Sequence, residues 1–111
     1  MTPKLNRILV LEKALRVADG AGGFEETWTP LGELWADVRL RSGREIGGEG
    51  GSLSTTGYRI IVRAAPYGAP SRPVAGQRFR DGVRIFAIEA VGEQDGDGRY
   101  LVCFVEEEVA A

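Results

Sequence analysis

Side chains on an extended chain alternate between two faces, so a run that alternates apolar and polar residues specifies a strand buried on one side only. That period of two dominates this sequence. Leu34, Ala36, Val38 and Leu40 alternate with Trp35, Asp37, Arg39 and Arg41. Tyr58, Ile60, Val62 and Ala64 alternate with Arg59, Ile61, Arg63 and Ala65, which predicts a second strand. Phe86, Ile88 and Ala90 stand opposite Ile85, Ala87 and Glu89, and Leu101, Cys103 and Val105 stand opposite Val102, Phe104 and Glu106. The expected fold class is all-β, built of antiparallel strands. Leu34, Ala36, Val38, Ile60, Val62, Ile88 and Leu101 are its expected core.

Turn residues punctuate these runs. Asp95-Gly96-Asp97-Gly98 predicts a hairpin between the last two strands, and Arg80-Asp81-Gly82 a tight turn before Val83. Asp19-Gly20-Ala21-Gly22-Gly23 closes the first segment, and residues 66–73, with three of the five prolines, predict a loop. Leu5 to Val17 fits a strand face through Leu9, Leu11, Leu15 and Val17. It also fits a short helix through Leu5, Ile8, Leu9, Glu12 and Leu15; the strand is preferred. Ser42 to Gly57 holds six glycines and reads as a long Gly-rich loop, a length usually reserved for function. Nothing divides the chain, so residues 1–111 are expected to form a single domain.

Composition removes several functions. A hydrophobic fraction of 43% is enough for a packed core and argues against disorder. A net charge of -2 disfavours a basic nucleic-acid glove. The absence of histidine removes the commonest general base and zinc ligand. Cys103 is the single cysteine, so no intrachain disulfide can form. No run approaches the ~20 apolar residues of a membrane-spanning helix. The chain is expected to be made soluble in the host cytoplasm.

The motifs that invite chemistry each have a plainer explanation. Gly47-Gly48-Glu49-Gly50-Gly51-Ser52 lacks the lysine and following helix of a phosphate loop. Glu106, Glu107 and Glu108 are consecutive on an extended chain, so they alternate sides rather than converge on a cation. Asp95 and Asp97 make a turn too short for a calcium loop. Cys103 lies in an apolar face with no histidine to activate it, as a small buried residue would. Arg39, Arg41, Arg44, Arg59, Arg63, Arg78, Arg80 and Arg84 form either a salt-bridged surface or a stripe for nucleic-acid phosphates. Trp28 and Trp35 fit core or interface positions better than a ligand cage. No catalytic, cofactor-binding or metal-binding residues are assigned, and the chain is not expected to be an enzyme.

Order and spacing add a resemblance that spans about Leu5 to Glu107. The chain reads Asp19-Gly20, Gly23-Phe24, Thr27-Trp28 and Leu34-Trp35-Ala36-x-Val38. Ser42-Gly43-Arg44-Glu45 and the long loop follow, then Tyr58-x-Ile60-x-Val62-Arg63. Gln77-Arg78-Phe79, Gly82-x-x-Ile85-Phe86-x-Ile88 and the strand around Leu101 and Cys103 complete it. This series resembles the phage head–tail joining family, the head-closure or stopper proteins of long-tailed phages and of phage-derived gene transfer agents. The chain departs from that pattern at Tyr58, where a Thr-His pair is common, and in the glycine content of its loop.

The resemblance implies a small antiparallel β-barrel or sandwich with the long Gly-rich loop between strands, serving as a structural virion subunit in the particle neck. It implies a hexameric or dodecameric ring of this chain, the portal or adaptor on the head side and the tail terminator on the tail side. Packaged double-stranded DNA would be retained above the ring and pass through its channel. Within the long loop, Arg44, Glu45, Ile46, Glu49 and Leu53 are the candidate contacts to the channel or a partner. The alternative is a small barrel that binds single-stranded nucleic acid through the arginines and Trp28, Trp35 or Phe79.

Overall fold

The computed structural model describes residues 2–48 and 51–108, with 42–48 and 51–55 described as backbone alone. Among these residues six strands form, β1 (Arg7–Ala18), β2 (Phe24–Gly48), β3 (Gly51–Arg63), β4 (Arg78–Asp81), β5 (Arg84–Glu93) and β6 (Tyr100–Glu108). Every pairing is antiparallel, and the order β1-β2-β3-β6-β5-β4 closes into a barrel where Val10 to Glu12 of β1 meet Arg78 to Arg80 of β4. Closure removes the open edges that a flat sheet of this size would offer to other strands. The first segment is thus a strand, as its Leu9 and Leu11 face suggests, and both predicted hairpin turns are found.

The core fills the barrel. Leu9, Leu11, Ala36, Ile60, Val62, Phe79, Phe86, Ile88, Leu101, Cys103 and Val105 are all at most 3% exposed. Five of the seven expected core residues are among them, while Leu34 and Val38 pack against the cluster from partly open positions. The two largest members, Phe79 and Phe86, sit directly opposite each other on β4 and β5. Burial pushes the Cys103 thiol up to about 12, so it stays protonated and inert at neutral pH.

Three bulges bend the walls. An unbroken strand of 25 residues would span ~80 Å, yet the longest extent of the molecule is 47 Å. β2 therefore turns as it runs, at Leu31, which has no partner between the pairs Leu11–Gly32 and Glu12–Pro30, and at Arg41, skipped between Leu40–Tyr58 and Ser42–Gly57. Gly32 has φ +146°, a backbone that other residues rarely adopt. The third bulge, at Glu89, corrects the simple alternation of β5. It turns Ala90 out to solvent and brings Val91 against the core.

The segment read as a long loop, Ser42 to Gly57, is also corrected. Its backbone continues the β2–β3 ladder from Ser42–Gly57 to Gly48–Gly51, so it is a hairpin arm. Glycine weakens a strand without forbidding it, and register carried over from the barrel extends the pairing. Glu49 lies outside the described residues.

Candidate interaction surfaces

Two arms leave opposite ends of the β2 wall. The first arm runs from Lys13 to Pro30, where β1 and β2 stay paired from Lys13–Thr29 to Ala18–Phe24. Asp19 closes it by accepting hydrogen bonds from the backbone N–H of Ala21 at 2.8 Å and Gly23 at 3.0 Å. The second is the Ser42–Gly57 hairpin, which carries Arg44, Glu45, Ile46 and Leu53, with Ile46 opposite Leu53 in register. The candidate residues are thereby brought onto one ribbon.

A charged cluster anchors the base of each arm. At the first, the Glu12 side chain is 5% exposed and accepts from Arg78 Nε at 2.8 Å and Arg80 Nε at 3.0 Å. Arg78 also stacks on Trp28, 4.1 Å from the ring centre, tying β4 to the arm. Burial pushes the Glu12 carboxyl up, but hydrogen bonds and charge from Arg78 and Arg80 outweigh it and hold the group below 4.5. At the second, Arg84 grips both oxygens of Glu107 at 2.8 and 3.1 Å and donates to Tyr58 Oη at 3.3 Å. Tyr58 meets Phe86 edge to face at 5.4 Å. The Arg84 hydrogen bond lowers the Glu107 carboxyl, and the one from Arg39 lowers Asp37.

These depressed carboxylates give a direction for pH. A carboxyl held lower in the folded than in the unfolded chain contributes stability above its unfolded value and loses it as pH falls through the folded one. For Glu12, Glu107 and Asp37 that window opens near the ordinary values of 4.5 and 3.8 and extends downward. Thermal melts should hold steady from pH 7 to 5 and then fall steeply below about pH 4.5. A melting temperature unchanged down to pH 3 would contradict these assignments.

Four of the eight arginines of the stripe are ion-paired within the molecule: Arg39 pairs with Asp37 at 2.7 Å, Arg78 and Arg80 with Glu12, and Arg84 with Glu107. Outside the stripe, Arg7 pairs with Asp81. Arg41 lies over Phe104 at 5.6 Å. Phe79 is fully buried, so it cannot stack on a base. Arg59 and Arg63 stay exposed. Among the described residues, no group of three or more acidic or thiol side chains converges in metal-binding fashion.

The outer wall carries a feature the alternation did not foretell. Ile61 and Val102 point outward beside core neighbours, yet are 1% and 7% exposed. The N-terminal segment crosses this wall. The backbone N–H of Lys4 donates to Asp37 at 2.9 Å, and Thr2 and Pro3 line a cleft with Gln94, Asp95, Arg99 and Tyr100. A little further along, Leu5, Trp35 and Arg63 line a second, shallow cleft. Ile8, paired with Trp35, is 45% exposed and Trp35 itself 55%.

Fold and surfaces together define a closed β-barrel with two hairpin arms and a half-open aromatic cleft, a build suited to contacts with other proteins. The family model described as phage head completion protein matches residues 1–108, and the chain belongs to that family. Among solved structures it is similar to a chain of the "Virion of native gene transfer agent (GTA) particle". The two are 55% identical, with a TM-score of 0.87, covering 99% of this chain and 100% of the other. No curated protein matches.

Proposed function

We propose that this protein is a structural subunit of the particle neck, where a ring of copies closes the filled head and joins it to the tail. The observation that carries this reading is the family match over residues 1–108, together with 55% identity to a chain of a gene transfer agent virion. The protein acts there as a virion component without chemistry of its own. The portal or adaptor meets it on the head side and the tail terminator on the tail side. Packaged DNA is held above the ring and leaves through it. The arm bearing Arg44, Glu45, Ile46 and Leu53 reaches the channel or an adjoining subunit. A ribbon is suited to that task, because it can swing or reorder at modest cost while the closed barrel stays fixed.

A gene deletion tests this. Filled heads and finished tails should accumulate unjoined, because neither needs this chain in order to assemble. Complementing with a chain in which Ile46 to Ser54 is replaced by a short Gly-Ser linker should give a folded protein. The Ala36–Leu40 and Tyr58–Val62 ladder is left intact by that change. Particles made with it should fail to join tails or to retain DNA. Normal joined particles from the deletion strain would refute the neck assignment, and full rescue by the shortened chain would refute the role of the arm.

A further inference from the structure

On β1 the alternation that points Leu9 and Leu11 into the barrel continues past its rim to Lys13, Leu15 and Val17. Opposite them in register stand Thr29, Thr27 and Glu25. The first arm therefore presents a core-type face where the barrel no longer supplies a far wall. Leu15 and Val17 remain 47% and 45% exposed. A two-stranded ribbon is marginal in water by itself. This one is braced at its base by Glu12, Arg78, Arg80 and Trp28, so its position is set before any partner arrives.

The other half of a contact lies on the outer wall. Ile8, Trp35 and Arg63 fall side by side across β1, β2 and β3, with Leu5 completing the cleft. A half-exposed tryptophan in a cleft is the kind of residue that anchors protein interfaces. Leu15 and Val17 project from the face of the sheet opposite to Ile8 and Trp35, so the arm cannot cover its own cleft. Charges match as well: Glu25 pairs in register with Val17, Arg63 adjoins Trp35, and neither enters an ion pair among the described residues.

We propose that the first arm of one copy seats in the Trp35 cleft of the next copy, with Leu15 and Val17 covering Ile8 and Trp35 and Glu25 meeting Arg63. The contact is head-to-tail, so repeating it closes a ring when the rotation allows. This inference rests on the neck-ring reading and specifies which surfaces build the ring.

The test uses assembled particles carrying Val17→Cys and Ile8→Cys in one chain, treated with a short thiol-to-thiol linker. The native Cys103 is buried and does not compete. The expected result is a ladder of covalent dimers, trimers and larger multimers of this chain, absent from either single variant. Adding Trp35→Ala should abolish the ladder while leaving the melting temperature unchanged. Absence of the ladder, linkage to a different protein, or a ladder that survives Trp35→Ala would each overturn the proposal. Electron microscopy of the same particles separates the two failures. A neck ring without the ladder sinks this contact alone, whereas a chain that is not in the neck sinks the ring reading itself.

Discussion

Ile60→Asp is expected to leave the chain unfolded at room temperature. Ile60 is 0% exposed and lies between Val38 on β2 and Cys103 on β6, inside a cluster made wholly of apolar side chains and one thiol. A carboxylate there finds neither water nor a cation. Its burial costs several kcal/mol even after it takes up a proton, on the scale of the ~5–15 kcal/mol that holds a domain together. Circular dichroism should show no cooperative melt. A transition within a few degrees of the unaltered protein would mean that the faces of β3 are reversed. Val38→Asp, which alternation alone ranks as equally severe, should cost less, because Val38 is partly open to water at the rim.

The second large effect is expected at Glu12. Glu12→Ala strands two guanidinium groups at the joint between barrel, β4 and first arm. Breaking a fully buried pair costs about 3–5 kcal/mol. The Arg78 and Arg80 side chains are 19% and 37% exposed and can recover some hydration, so a loss of about 2 kcal/mol is expected here. Urea denaturation at neutral pH measures it. The variant should also show a weaker acid dependence, since the carboxyl that titrates has gone. A loss below about 0.5 kcal/mol would assign the cluster to the solvated surface instead.

How far the sequence foretold these sites depends on whether a residue has a buried side. Strands β2, β3, β5 and β6 are legible where they line the barrel, because a core on one side and water on the other imposes the period of two. The Ser42–Gly57 arm has no barrel wall across from it, so no core selects an alternating pattern and its glycines read as loop. β4 is four residues long, and Arg-Phe-Arg-Asp gives too short a run to announce Phe79 as a central core residue. Bulges at Leu31, Arg41 and Glu89 are silent in any periodicity count, yet they decide where β2 bends and whether Ala90 or Val91 faces inward. The Glu12 cluster joins residues 66 and 68 positions apart, and only closure of β1 on β4 brings them together. The Trp35 cleft was half legible. An aromatic on the polar face of a strand is a visible anomaly, but its partners Leu5 and Arg63 come from other segments.

Electron microscopy of the purified particle, with the neck resolved well enough to trace strands, decides whether this chain builds the neck ring. Between the head vertex and the first tail ring, a ring of closed six-stranded barrels is expected. Each barrel should carry two hairpin arms, one reaching an adjoining copy and the other directed toward the channel or an adjoining protein. Finding this chain in the capsid shell or the tail tip, or a neck built without it, would overturn the neck assignment.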